Sequence, residues 1–241
     1  MKPLLKTAGV IALTMSAAAC GASKTEAAYT PQQVAEVPAP VEADATAGPA
    51  ERQAFQLASG EFEASDLIGA SVHNAAGEEI ANVADIRLAE DGVAPMIVLR
   101  DGGVAGAGGE LHTIGFQDAT IVPDPDTSGD EPNLMVQFTG ETLKTLPVFE
   151  QPEANDYSLA SEMMGTNATI TSSGETARIH DIVLTNTGEA RFAVISPDVL
   201  NPEQIVVNAN SVLVSQGDTD GELALDLTAQ DLAVAPEYPR E

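Results

Sequence analysis

The sequence predicts an all-β protein built as two tandem small β-barrels, preceded by an N-terminal leader and a disordered tether. Three observations predict it. Apolar residues alternate over short runs that end in Gly-containing turns. The same order of runs and turns occurs twice. Upstream of the first copy the composition shifts to Ala, Pro, Glu, Gln and Thr, with few large apolar residues to bury.

Residues 1–20 form the leader. Lys2 and Lys6 are followed by the apolar run Ala8 to Met15 and then by Ala17-Ala18-Ala19-Cys20-Gly21. A basic start, a short apolar stretch and small residues at the end are the anatomy of a secretory signal, and the apolar run is too short to span a bilayer. The end of the leader resembles the lipobox of bacterial lipoproteins, with Ala17 where leucine is usual. Cys20, the only cysteine in the chain, is therefore the expected lipidation site. No free thiol is then left for a disulfide or a nucleophile.

Residues 21–60, with Pro31, Pro38 and Pro40 among Ala, Glu and Gln, are expected to be a disordered tether. By flexible-coil scaling about forty such residues span roughly 35 Å.

The first barrel is assigned to residues 61–150. Ser65 or Asp66 starts a short turn, Leu67-Ile68-Gly69 leads into a strand at Ser71 to Asn74, and Gly77-Glu78 turns the chain. The next strand runs from Glu79 to Leu88, with Ile80, Val83 or Ala84, Ile86 and Leu88 as core positions, and Asp91-Gly92 closes it. Met96 to Leu99 reads as a central strand, Leu111 to Phe116 and Ala119 to Val122 as a further strand and its continuation. Asn133 to Phe138 alternates well. Thr139 then caps a helical turn that Pro147 terminates.

Residues 151–156 link this copy to a second, divergent barrel at 157–241. There Met163-Met164-Gly165 stands for Leu67-Ile68-Gly69, and Ile179-His180-Asp181-Ile182 for Val83-Ala84-Asp85-Ile86. Gly188 stands for Gly92, Phe192-Ala193-Val194 for Met96-Ile97-Val98, and Asn208-Ala209-Asn210 for Gly115-Phe116-Gln117. The register continues to the end: Leu223, Leu225, Leu227 and Thr228 match Leu134, Val136, Phe138 and Thr139.

Taken together, Leu67-Ile68-Gly69, the Gly77-Glu78 turn, Val83-Ala84-Asp85-Ile86, Asp91-Gly92 and Ile114-Gly115-Phe116-Gln117-Asp118 resemble the PRC-barrel family. The resemblance covers residues 64–122 and extends more weakly over 157–214. It implies a β-barrel adaptor used for protein contacts and no catalytic residues.

Among chemistry-bearing residues, His73, His112 and His180 have no metal-ligand spacing and do not correspond between the copies, so surface or strand-edge positions are expected. Asp85 and Asp181 do correspond, each inside an apolar strand, which predicts carboxylates that accept hydrogen bonds within the fold. Gly102 to Gly109 is glycine-rich, but no Lys-Ser or Lys-Thr follows, so a loop is expected there and not a phosphate cradle. Asp124, Asp126 and Asp130 imitate the start of a calcium loop, yet Met135 occupies the twelfth position, where a bidentate glutamate is required. They are weak calcium candidates, and no cofactor is expected.

The formal charge of -27 disfavours nucleic acid, whose phosphates demand clustered Lys and Arg. The expected protein is a non-enzymatic cell-envelope lipoprotein, anchored to the membrane through Cys20, with periplasm-facing barrels that bind or scaffold an envelope protein. Gly21 lacks the aspartate associated with inner-membrane retention, which favours the outer membrane. The alternative is a periplasmic calcium-responsive sensor or buffer that uses the acidic loops.

Overall fold

The structure is a computed structural model and describes residues 52–90, 92–102, 109–123, 132–150, 156–198, 200, 203–215 and 221–239. Cys20 and the calcium candidates Asp124, Asp126 and Asp130 lie outside the described residues. The first half consists of β1 (Glu61–Glu63), α1 (Ala64–Leu67), β2 (Ser71–His73), β3 (Glu79–Arg87), β4 (Met96–Asp101) and β5 (Leu111–Gly115). A 3-10 turn η1 (Phe116–Asp118), β6 (Ala119–Pro123), β7 (Pro132–Val136) and α2 (Gly140–Leu143) complete it. The second half comprises α3 (Ala160–Met163), β8 (Asn167–Ile170), β9 (Thr176–Thr185), β10 (Ala190–Ser196), β11 (Ile205–Asn208), η2 (Ala209–Ser211), β12 (Val212–Ser215), β13 (Glu222–Leu225) and α4 (Ala229–Val234).

Both sheets have the same strand order, β5-β4-β3-β2-β7-β6 and β11-β10-β9-β8-β13-β12. The pairs β2/β7 and β8/β13 are parallel and the others antiparallel. Each sheet curls into a half-barrel. Among the described residues no ladder joins β5 to β6 or β11 to β12, which are connected by η1 and η2.

Strand β3 shows why alternation alone left one core position open. Its register against β4 slips between Val83 and Asp85, so Ala84 is an extra, bulged residue. A bulge reverses the inward phase of a strand. Ala81 and Val83 are buried before it, Ile86 and Leu88 after it, and Ile80 is only half-buried. The slip recurs in the second half at the equivalent His180, which β10 skips between Asp181 and Ile179.

The helical turns α2 and α4 begin at threonine N-caps. The Thr139 hydroxyl accepts the Thr142 N–H, and Thr228 and Asp231 form a reciprocal box in which each side chain accepts the other's backbone N–H.

The two halves are interlocked. Strand β1, from the first copy, pairs antiparallel with β9 of the second, and Leu159 bridges Arg87 of β3 at the equivalent place. The Leu88 N–H donates to the Ser158 carbonyl at 2.8 Å. One hydrophobic core accordingly draws on both copies: Ile86, Ile97, Phe116 and Leu134 pack with Ala160, Ile182 and Leu184. A second core around Ile170, Ile179, Ile195 and Leu225 comes from the second half.

The β5 and β11 edges are covered. The Phe149 N–H donates to the Leu111 carbonyl alongside β5, and the Val206 and Tyr238 N–H groups donate to the Pro236 and Gln204 carbonyls alongside β11. Such covers remove the unpaired backbone of an edge strand. Upstream, the Phe55 N–H reaches the Glu237 carbonyl at 2.7 Å, the Phe55 ring stands edge-on to Phe192 at 5.4 Å, and Arg52 pairs with Glu203. Residues 52–60, assigned to the tether from composition, thus run against the second half.

At the turn between β9 and β10, Gly188 is buried under the Phe116 ring, and a Cβ there would collide with it. Gly92, its counterpart, has an equally positive φ of 81° against 82° but nothing within 4 Å. Gly188→Ala should therefore cost about 1–3 kcal/mol more than Gly92→Ala, the extra loss being overpacking beyond the backbone strain both share. Urea unfolding of the two variants measures the difference, and equal losses would contradict the contact.

Candidate functional site

The recurring aspartates form a seam between the copies. Each sits just after the bulge of its strand and accepts the backbone N–H of its neighbour, Ile86 for Asp85 at 2.8 Å and Ile182 for Asp181 at 2.7 Å. Asp85 also accepts from the Ser161 backbone at 3.2 Å and from its hydroxyl, at the first turn of α3. Asp181 accepts from the Ser65 backbone at 3.2 Å and from its hydroxyl, at the first turn of α1. Each carboxylate is thus buried in one copy and caps the opening helical turn of the other. The expectation of hydrogen-bonded carboxylates is met, with the partners across the seam and not in the neighbouring Arg87. Arg87 pairs instead with Glu90 at 3.7 Å.

Beside this seam, burial raises the Glu162 carboxyl above its ordinary range; a hydrogen bond to Asp156 and the Asp156 charge add to the shift. The backbone hydrogen bond at Leu159 opposes it, and the Asp85 charge is a smaller addition.

A cavity of about 720 Å³ opens where the copies meet. Leu88, Glu90 and Val93 line it from the first half. Across from them stand Tyr157 and Met163 at the start of the second half, Glu189 and Ala193 on its hairpin, and Ala209, Asn210 and Val212 around η2. Among the described residues no lysine, arginine or histidine lines it. Its volume lies within the range of small-molecule sites, about 300–1,000 Å³.

These turns and core positions invite comparison with known families. Residues 59–131 match the family model of the PRC-barrel domain. No curated protein matches the chain. The PRC-barrel match takes in β1 through β6, and the parallel strand β7 that ties β6 to β2 follows it directly. PRC-barrel domains are generally non-catalytic modules, and residues 59–131 are similar to a small β-barrel module of that kind.

The three histidines stand on three different strands, His73 on β2, His112 on β5 and His180 on β9. His112 lies on the edge strand β5, one of the two positions expected, but is fully buried there and not at the surface. Its Nδ1 donates to the Leu146 carbonyl at 3.2 Å, because the residues that follow α2 cover that edge. His180 bonds Ser196 through Nε2 at 2.9 Å, and His73 is half-buried on β2. No group of three or more His, Cys, Asp or Glu able to hold a metal occurs among the described residues. The cavity was missed by motif reasoning because no chemical signature marks it. The available signal was Ala193 and Ala209 standing where the first copy has Ile97 and Phe116.

Asp85→Ala and Asp181→Ala should each destabilise the protein by about 1–3 kcal/mol, since each leaves backbone and hydroxyl donors of the other copy without a charged acceptor. A double-mutant cycle between Asp85 and Ser161 should show coupling of at least about 0.5 kcal/mol by urea unfolding. Additive losses would contradict the seam. A raised carboxyl binds its proton more tightly in the folded chain, so Glu162 makes stability fall as pH rises from the ordinary glutamate range through its raised value. Glu162→Gln should flatten that fall in a pH series of thermal melts.

Proposed function

We propose that the chain is a non-enzymatic binding or scaffolding module of the cell envelope, held at the membrane by a lipid on Cys20. The observation that carries this reading is the PRC-barrel match over residues 59–131, a generally non-catalytic module that in this chain follows a leader and a small-residue run ending in cysteine. The interlocked halves support a scaffold, because β1 of the first copy joins the sheet of the second and the aspartate of each copy caps the opening helical turn of the other, which holds both surfaces in one fixed relation. The charge of -27 supports a protein partner over nucleic acid or an anionic lipid surface. The partner is an envelope protein, and the favoured site of anchoring is the periplasmic leaflet of the outer membrane.

Fractionation of cells tests the anchor: Cys20→Ala should move the chain from the membrane to the soluble fraction, and retention in the membrane would overturn lipidation at this residue. In-cell crosslinking tests the module. One envelope protein should be captured by the wild-type chain and its yield should drop with Cys20→Ala; the absence of any reproducible partner would count against a scaffold.

A further inference from the structure

The cavity between the copies lies where the second half has lost the side chains that fill the corresponding space in the first. In the first half the opening residue of η1 is Phe116, 3% exposed, whose ring lies over the buried Gly188 turn. The opening residue of η2 is Ala209, and the Gly92 turn that would receive a ring there is exposed with nothing within 4 Å. The same loss is repeated on the neighbouring strand. Ile97 pairs with Ile86 in the first sheet and belongs to its core, whereas Ala193 pairs with Ile182 in the second. Ala193, Ala209 and Ile182 all line the cavity. One aromatic ring and one branched aliphatic chain of the first copy are thus replaced by alanine in this wall.

Natural cores pack to high density, and an unfilled space of this kind costs stability in proportion to its volume. A second feature marks the same place. Tyr157 lines the cavity with a φ of 57°, a conformation that costs a bulky residue about 1–3 kcal/mol and tends to persist at functional sites. It is held there by its neighbours: the Ser158 N–H donates to the Asp156 carboxylate at 2.9 Å and the Ser158 carbonyl accepts from Leu88.

We propose that this cavity is a binding site for a small aromatic amine. The ring takes the place that Phe116 occupies in the first copy, against Ala193, Ala209 and Ile182, where aromatic burial is the interaction the fold already uses. The charge selects the rest of the ligand. Among the described lining residues the ionisable side chains are Glu90, Glu189 and Tyr157; Arg87 pairs with Glu90 at 3.7 Å from outside the lining, so the mouth keeps a net negative charge that attracts a protonated amine and repels a carboxylate. This site goes beyond the binding-module reading and does not rest on it.

The probe is 2-phenylethylamine, tested on the full chain by thermal melting beside phenylacetate, which has the same ring and the opposite charge, and ethylamine, which has no ring. 2-Phenylethylamine should raise the melting temperature in a saturable way, because a ligand of the folded state stabilises it by mass action. Phenylacetate should be at least about tenfold weaker and ethylamine without effect. Ala209→Phe, which restores the first copy's side chain, should raise the melting temperature without ligand and abolish the response. Ala193→Ile provides the same reading from the neighbouring strand if Ala209→Phe does not fold. No saturable shift with 2-phenylethylamine, an equal response to phenylacetate or ethylamine, or an undiminished response in the folded variants would overturn the proposal.

Discussion

Two buried carboxylates that each reach into the opposite copy govern this architecture. Asp85 and Asp181 sit immediately after a bulge, and the bulge turns them inward at the point where a helical turn of the other copy begins. A carboxylate at a helix start accepts backbone N–H groups that would otherwise lack partners. Because the donors come from the other copy, each half supplies what the other lacks. The pairing of β1 with β9, the Leu159 bridge to Arg87 and the shared core all lie along the seam these carboxylates define.

Against that nearly two-fold frame, the departures are informative. The seam retains its residue types in both copies: Asp with Asp, Ser with Ser, Ala64 with Ala160. The bulge keeps its place while its residue changes from Ala84 to His180. At the interface between the halves, Phe116 and Ile97 have become Ala209 and Ala193, so one side is filled and the other hollow. A frame held by conserved geometry can carry such a local loss because the remaining core, from Ile170 to Leu225, is intact around it.

Much of the fold was legible because turns and alternation are local. The Gly77, Gly92, Gly174 and Gly188 turns all take the positive φ that glycine allows, and the strands between them lie where alternation put them. The phase of β3 was not legible, since an inserted bulge residue leaves the string of residue types unchanged while reversing which side faces the core. The exchange across the seam was also hidden. A short segment such as Glu61–Glu63 carries no mark saying which sheet it joins. Residues 52–60 read as tether because Phe55 and Leu57, without alternation or turn signals around them, look unburied until Phe192 and Tyr238 are seen beside Phe55. The cavity was encoded as two small residues, and small residues in a core signify nothing until their counterparts are superposed.

The exchanged strand also decides how the protein carries load. Tension arriving through the chain before Arg52 meets the Arg52–Glu203 pair first, then the strand-like contact of Gln53 and Phe55 with Glu237, and next the β1–β9 ladder with its Arg191–Glu61 tie. All of these grips are on the second half, although the segment that is pulled leads into the first. A force at the N-terminal end is therefore borne by the C-terminal sheet before it reaches β2, and the first half is mechanically sheltered by its partner.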